Sequence, residues 1–366
     1  VPKENFRCFH SVLREELQML FSKKDLQKLI IPLMFEQLLA VSVGMVDTLM
    51  VSQAGEAAIS GVALVDNINR LIIQVMAALA TGGAVVCSQF VGKGKEEGAK
   101  KSGAQLETVL LVFSVCMTLL SLIGTRGLLH AVFGNVSEDV MDSAVLYFTV
   151  TSLSFPFLGI YNAGAAIFRS IGNSKISMQI SLLMNVINIV GNAIFVFGFH
   201  WAVFGVALAT LLSRIVAGIV ITLLVCGKTN PIRIDKWSEL KPDGSIIKKI
   251  LAIGIPSGVE NGMFQIGKLA VTSMVATFGT ASIAANSVGY TVIDFANIPG
   301  NAMGLALITV VGQCIGAGEK KQAKQYTKKL VGLAYLGDWI CNIALFLLAG
   351  TIAKCFHLSP EAVRIA

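Results

Sequence analysis

Charged residues are scarce in this chain of 366 residues. Asp, Glu, Lys and Arg together make up 14% of the sequence, whereas they form about a quarter of an average soluble domain. This shortage argues against an ordinary soluble globular protein.

Catalytic and metal-binding patterns are also missing from the sequence. The seven cysteines show no CxxC spacing, and the four histidines are scattered without the spacing of metal ligands. The sequence has no Walker A motif and no Ser/His/Asp or Cys/His set. We therefore expect no catalytic residues, no metal site and no cofactor, in a protein that is not an enzyme.

Long apolar stretches are abundant instead. Hydrophobic residues make up 54% of the chain, and the mean hydropathy is +0.73. The stretches are about twenty residues long, which lets an α-helix cross roughly 30 Å of hydrocarbon. The sequence predicts an all-α polytopic membrane protein in a lipid bilayer. The predicted spans are 28–52, 59–91, 104–124, 142–168, 177–199, 202–226, 248–276, 283–315, 327–353 and a tenth that begins near Ser359.

Basic residues cluster in alternate loops. Residues 1–28 contain six Lys and Arg, the 93–101 loop four and the 227–249 loop six. By the positive-inside rule this pattern predicts a cytoplasmic N-terminus in a multi-pass protein of the cell membrane. Residues 1–27 have the pattern of an amphipathic helix on the inner leaflet. Because no single patch collects the basic residues, we expect no nucleic-acid partner.

The sequence contains an internal duplication. Residues 32–100 recur without a gap at 256–324, with 15 of the 69 positions identical. A constant spacing of 224 residues predicts two parallel-related six-helix repeats. The helix start at Ser359-Pro360 lies seven residues before the end, so we expect an incomplete second repeat. The expected domains are a cytoplasmic amphipathic segment (1–27), an N-lobe of six transmembrane helices (28–226), a cytoplasmic linker (227–247) and a C-lobe with three helices and the start of a fourth (248–366).

Two carboxylates lie on one face of the first span. Glu36 and Asp47 are 11 residues apart, which places them within about 20° of each other around a helix. An acidic stripe inside a membrane suits a proton or cation relay, although two separate carboxylates near headgroups would give the same pattern. Glu36 has its repeat mate in Glu260, and both follow a proline by four residues. The two glutamates either share a central cavity or accompany two proline kinks.

Other charged and amide side chains inside the predicted spans also need ion-pair or hydrogen-bond partners. Arg70 and Asp294 are repeat mates, which suggests an ion pair across the lobe interface, with a functional or a purely structural role. Lys268 could form an ion pair with Glu260 or with Asp47. In the fifth span the amides of Asn185, Asn188 and Asn192 share one face, where they join helices or supply oxygens to a cation.

The chain resembles the multidrug and toxic compound extrusion (MATE) family over residues 25–366. The similarity rests on Met45-Val46-Asp47-Thr48-Leu49-Met50-Val51, on Gln89-Phe90-Val91-Gly92, on Phe168-Arg169-Ser170-Ile171-Gly172-Asn173-Ser174-Lys175, on Phe195-Val196-Phe197-Gly198 and on the repeated Gly316-Ala317-Gly318.

This resemblance implies two six-helix lobes arranged in a V and export driven by entry of protons or sodium ions. Asp47 occupies the place of the family's coupling aspartate in the first span. Asn188 and Asn192 match the family's Asn-x-x-x-Asp pattern, except that Asn192 replaces the aspartate. This departure leaves the coupling ion open and adds weight to Glu36.

Together these features predict a monomeric secondary-active exporter. We expect organic cations as its cargo, because acidic residues in an apolar cavity favour them. One alternative is a lipid-linked oligosaccharide flippase, which requires a cationic cavity. Another is a non-transporting membrane receptor, and an intramembrane enzyme is third.

Overall fold

The computed structural model describes residues 19–51, 56–134, 137–227, 230–234, 240–276, 278 and 280–355. All regular elements of this part are helical. The helices are α1 (Lys23–Val51), α2 (Glu56–Gly92), α3 (Glu96–Ile123), α4 (Thr125–Phe133), α5 (Glu138–Ser152), α6 (Phe155–Ser170), α7 (Ser174–Asn192) with a π-helical extension (Ala193–Gly198), α8 (Ala202–Val225), α9 (Gly244–Ala276), α10 (Thr280–Ala296), α11 (Ile298–Gly316) and α12 (Lys320–Cys355).

The helices confirm the predicted membrane architecture. Seven of the described helices are long and apolar enough to cross a membrane, and α5 with α6 would add an eighth as one span bent by 47°. The predicted span 283–315 consists of two helices, α10 and α11. The helix start predicted at Ser359, together with residues 1–18 of the predicted amphipathic segment, lies outside the described residues.

Proline explains the break between α5 and α6. Pro156 lies in the first turn of α6, where its missing N–H leaves the carbonyl of Ser152 without an intrahelical donor. Thr118 on α3 donates a hydrogen bond to that carbonyl at 2.9 Å. A neighbouring helix thus satisfies the backbone group that the proline frees, as a membrane interior requires.

Pro32 has a similar effect within α1. Its ring removes the donor that would bond the carbonyl of Lys28, and the helix continues through it. The hydroxyl of Ser174, at the start of α7, approaches the carbonyl of Lys28 at 3.4 Å and bonds that of Leu29 at 2.6 Å. The proline therefore fixes α1 against α7 next to Glu36.

A break at Asn297 separates α10 from α11. Pro299 lies in the first turn of α11, and the backbone N–H of Gly300 donates to Asp338 of α12 at 2.9 Å. A carboxylate at a helix N-terminus satisfies a free N–H and interacts favourably with the helix dipole. Asp338, an acidic residue inside a predicted span, therefore has a structural role.

The glycines shared by the two repeats end helices in the same way. Gly94 and Gly318 are repeat mates, and both adopt positive φ, at 67° and 83°. The next residues donate back over the last turn, from Lys95 to Phe90 and from Glu319 to Cys314. This is the Schellman arrangement, in which glycine adopts the left-handed conformation at little cost. We call the end of the bundle that carries these two loops the basic end, because Lys93, Lys95, Lys320 and Lys321 lie there.

The two repeats touch through equivalent residues of α2 and α11. A side chain at Gly92 would overlap the carbonyl of Gln313, and one at Gly316 would overlap the carbonyl of Gln89. Gly92 and Gly316 are repeat mates, and so are Gln89 and Gln313, so the two contacts are the same contact made in both directions. A two-fold axis produces this kind of reciprocal contact. Because both contacts lie in the last turns of their helices, the pseudo-two-fold axis runs along the bundle. The predicted parallel relation of the repeats is confirmed.

Apolar packing extends this contact at the basic end. A buried cluster joins α1 to α11 and α12 and includes Leu29, Leu33, Ala306, Val310 and Tyr326. The larger core lies among α2, α3, α5, α6 and α8 and reaches α9 through Ile246 and Ile250. Both clusters therefore cross the boundary between the lobes, and they form a seam at the basic end.

Replacing Gly92 by Ala should loosen the seam between α2 and α11. The added methyl group would meet backbone atoms, which cannot rotate away, and overpacking of this kind costs about 1–3 kcal/mol. We expect hydrogen–deuterium exchange of the amides in 86–92 and 310–316 to become faster. Gly304→Ala is the matched control, because it lies on α11 with open space around its Cβ position. Equal exchange in the two variants would contradict the close backbone approach.

The start of α9 is tied to the N-lobe by Asp243. Its carboxylate accepts a hydrogen bond from the N–H of Ser245 at 2.9 Å and pairs with Lys101 at 2.6 Å. Its own N–H donates to Gln105 at 2.8 Å. The Lys101 ammonium and the Ser245 donors hold the pKa of Asp243 below its ordinary value of 3.8.

This depressed pKa predicts a pH dependence. The contribution of Asp243 to folding is present above the ordinary carboxyl pKa and is lost as pH falls below about 4. Asp243→Asn keeps a good N-cap but loses the charge, so we expect its unfolding temperature to vary less between pH 5 and pH 3. Thermal unfolding in detergent across this range measures the difference. An unchanged pH profile in the variant would contradict the role of the Lys101–Asp243 pair.

Candidate functional site

A cleft separates the lobes in the half of the bundle away from the basic end. Its volume is about 430 Å³, within the range of sites for small organic ligands. Residues from the first half of α2 face residues from the last part of α9 and from α10, and the end of α4 closes one side. The lining residues are Asn67, Ile68, Arg70, Leu71, Val132, Phe133, Gln265, Ile266, Lys268, Thr272, Asn286, Tyr290, Thr291 and Asp294.

Arg70 and Asp294 both line this cleft, as repeat mates facing a common axis should. They do not form the predicted ion pair, however. Asp294 instead lies 3.8 Å from the ammonium of Lys268, on the neighbouring helix of its own lobe. That ammonium also lies 4.2 Å from the ring centre of Tyr290, a cation–π contact. Lys268 therefore pairs with Asp294. Of its two expected partners, Glu260 does not form the pair, and the side chain of Asp47 lies outside the described residues.

The two glutamates that were expected to share a central cavity do not line this cleft. Among the residues that line the cleft, Arg70 and Lys268 are basic and only Asp294 is acidic. Glu36 and Glu260 are not among them. Glu260 is exposed on α9, while Glu36 is buried within the N-lobe. The repeat relation gives the two glutamates equivalent positions along their helices but different surroundings.

Glu36 forms a buried ion pair with a residue outside the predicted set. Its carboxylate lies 3.1 Å from the guanidinium of Arg169, at the end of α6, and accepts a hydrogen bond from Ser177 of α7 at 2.8 Å. The side chains of Glu36 and Arg169 are 10% and 14% exposed. Three helices of the N-lobe therefore meet at one carboxylate.

The same end of α6 also contacts the C-lobe. Thr309 donates to the carbonyl of Arg169 at 2.8 Å, and Gln313 donates to that of Ser170 at 2.7 Å. Carbonyls in the last turn of a helix lack intrahelical partners, so α11 supplies the hydrogen-bond donors for the last carbonyls of α6. Gln313 is also the residue against which Gly92 packs. The Glu36–Arg169 pair is thus connected to the seam between the lobes.

The three amides of α7 are buried, and two of them form side-chain hydrogen bonds. Asn192 donates to Asn188 at 3.2 Å, and Asn188 donates to Thr210 of α8 at 3.2 Å. Asn185, on the same helix, leaves its buried amide nitrogen without a partner in the described part. The contact with Thr210 favours a role in joining helices. The side chain of Asp47 lies outside the described residues, so its predicted contact with these amides stays a prediction.

The family model described as MatE matches this chain at residues 32–194 and again at 256–366. The two matches begin 224 residues apart, which is the spacing of the repeat. A probable multidrug resistance protein NorM from Thermotoga maritima is 26% identical over 351 residues, which cover 94% of this chain and 74% of the relative. The multidrug export protein MepA of Staphylococcus saprophyticus is 23% identical, over 94% and 75% of the two chains.

Solved structures show the same fold. A MOP superfamily transporter from Pyrococcus furiosus, described by the reverse polarity of its binding pocket, has a TM-score of 0.87 and 23% identity, over 94% of this chain and 76% of that one. An outward-facing multidrug resistance MATE family transporter of the MOP superfamily has a TM-score of 0.86 and 23% identity, over 91% and 74%.

Glu36→Gln should destabilise the protein, because Arg169 would remain buried without its counter-ion. Removal of one partner from a buried pair costs about 3 kcal/mol, so we expect a clearly lower unfolding temperature in detergent. The double variant Glu36→Gln with Arg169→Met removes both charges and should recover most of the loss. If Glu36→Gln alone unfolds like the wild type, the pair does not hold α6 against α1.

Proposed function

The chain belongs to the MatE family of membrane transporters, and we propose that it exports small organic compounds by antiport with protons or sodium ions. The supporting observation is that the lobes pack backbone to backbone at the basic end and leave a cleft of about 430 Å³ in the other half. Two repeats that rock about such a contact provide alternating access. Since one chain supplies both lobes, a monomer is sufficient.

The basic end faces the cytoplasm in this proposal. Lys93, Lys95, Lys320 and Lys321 lie there, and positively charged loops are retained on the cytoplasmic side. The cleft then faces the outside, and the cytoplasmic side is closed. The similar structure of a MATE family transporter that is described as outward-facing agrees with this assignment.

Glu36 is our candidate for transmitting an ion-binding event to the seam. Protonation of its carboxylate would remove the charge that holds Arg169, whose carbonyl accepts from Thr309 across the seam. A shift of the end of α6 would then loosen the contacts of Gln313 and open the basic end. Asp47, on the same face of α1, is the expected entry point for the ion.

A flippase for lipid-linked oligosaccharides is the second candidate. It requires a cationic cavity, and Arg70 with Lys268 supplies positive charge. The polarity described for the similar structure from Pyrococcus furiosus points the same way. The volume of about 430 Å³ nevertheless suits a drug-sized molecule better than an oligosaccharide with its pyrophosphate. We therefore favour small compounds.

Asp47→Asn should abolish ion-driven export while leaving membrane insertion intact, because an amide cannot release a proton or bind sodium as a carboxylate does. Purified protein in liposomes, with a pH gradient or a sodium gradient imposed separately, measures dye export. Glu36→Gln should reduce the response to the driving gradient. Asp142→Asn is the matched control, since Asp142 pairs with Arg126 at an exposed site. Full export by Asp47→Asn would refute the coupling role, and dye binding without flux in the wild type would indicate a receptor.

A further inference from the structure

Arg70 and Lys268 place two positive charges in one cleft. Arg70 is exposed and lines the cleft, and no carboxylate of the described part lies within ion-pair distance of it, although Asp66, one turn earlier on α2, attracts it electrostatically. Lys268 is more enclosed, between the Tyr290 ring at 4.2 Å and Asp294 at 3.8 Å. The described lining thus contains two cations and a single carboxylate.

An uncompensated charge within a membrane is costly, by at least about 2.5 kcal/mol for a basic residue at the centre of a span. Asp294 offsets one of the two cations, and at 3.8 Å its contact with Lys268 is long for an ion pair. Asp66 is not among the residues that line the cleft, so the lining itself keeps an excess positive charge that leaves room for a second anionic group. The guanidinium of Arg70 presents a planar set of donors that suits a carboxylate, sulfonate or phosphate.

Apolar side chains surround this charged centre. Leu71 and Ile68 on α2, Val132 and Phe133 at the end of α4 and Ile266 on α9 also line the cleft. They offer contact to an apolar or aromatic body, while the charged side chains offer contact to an ionised group. A cargo that matches both parts is amphipathic.

We propose that the cargo of this cleft is an amphipathic organic compound that carries an anionic group, bound between Arg70 and Lys268. The proposal rests on the proposed function, since it names the chemistry of the compound that the cleft accepts. A cationic compound without an acidic group would meet two like charges and compete with Lys268 for Asp294. Like charges placed together are the usual means of rejecting a ligand.

Two dyes with the same xanthene ring and opposite charge test this inference. Carboxyfluorescein is anionic and rhodamine 6G is cationic. Binding of each dye to purified protein in phosphatidylcholine nanodiscs can be followed by fluorescence anisotropy, which requires no ion gradient. We expect carboxyfluorescein to bind roughly tenfold more tightly than rhodamine 6G, and we expect Arg70→Gln to weaken the binding of carboxyfluorescein by a similar factor. Asp294→Asn should strengthen the binding of carboxyfluorescein, because the substitution removes the competing carboxylate.

Arg126→Gln is the matched control for charge. Arg126 pairs with exposed Asp142 and does not line the cleft, so this variant should bind both dyes like the wild type. The double variant Lys268→Gln with Asp294→Asn keeps the net charge of the cleft and avoids leaving Asp294 unpaired. It should bind carboxyfluorescein more weakly than Asp294→Asn alone does.

The outcomes separate this inference from the proposed function. Tighter binding of rhodamine 6G, or no effect of Arg70→Gln, would overturn the anionic assignment and leave export through the cleft intact. Binding of carboxyfluorescein as expected, without export under either gradient, would support the inference and refute the proposed function. If neither dye binds, the anionic assignment is overturned, and the proposed function is decided by the export assay with imposed gradients.

Discussion

The backbone contact between α2 and α11 determines where the other features of the molecule lie. Gly92 and Gly316 let two helices approach so closely that each glycine faces a carbonyl of the other repeat. The contact fixes the pseudo-two-fold axis at the basic end and leaves the lobes apart in the other half, where the cleft lies. Dispersion forces and close packing hold helices together in a membrane, where the hydrophobic effect contributes little. Two small residues therefore decide the shape of the whole assembly.

Polar groups inside the bundle are satisfied by neighbouring helices. Thr118 bonds the carbonyl that Pro156 frees, and Ser174 bonds carbonyls near Pro32. Arg169 neutralises Glu36, and its own carbonyl accepts from Thr309. Each of these contacts joins two helices, so the groups that would be most costly in lipid also define the packing. This explains why the ends of α6 and α11 are linked to the acidic residue of α1.

The sequence was sufficient to predict the apolar spans, the duplication and the parallel orientation of the repeats, because apolar length and repeat spacing determine them directly. It did not predict α4 or the breaks at Pro156 and Asn297. Partner choice was harder to predict. Repeat symmetry placed Arg70 and Asp294 in one cleft but not in contact, since Lys268 on the adjacent helix is closer to Asp294. The predicted span 142–168 ends just before Arg169, although Arg169 belongs to the last turn of α6. The rotation of each helix about its own axis sets such contacts, and a single sequence does not specify it.

The opposite charges of Arg70 and Asp294 have a consequence for the duplication itself. Two identical lobes would present a ligand with two equivalent halves, and it would sit equally well either way round. A guanidinium at one equivalent position and a carboxylate at the other abolish that equivalence. Because Lys268 lies beside Asp294, the C-lobe side of the cleft carries both signs of charge, whereas the side formed by α2 carries the guanidinium of Arg70. A molecule with one charged end therefore enters the cleft in a preferred orientation. The difference between the repeat mates Arg70 and Asp294 thus makes the two sides of the cleft unlike, so that a bound molecule has one preferred orientation.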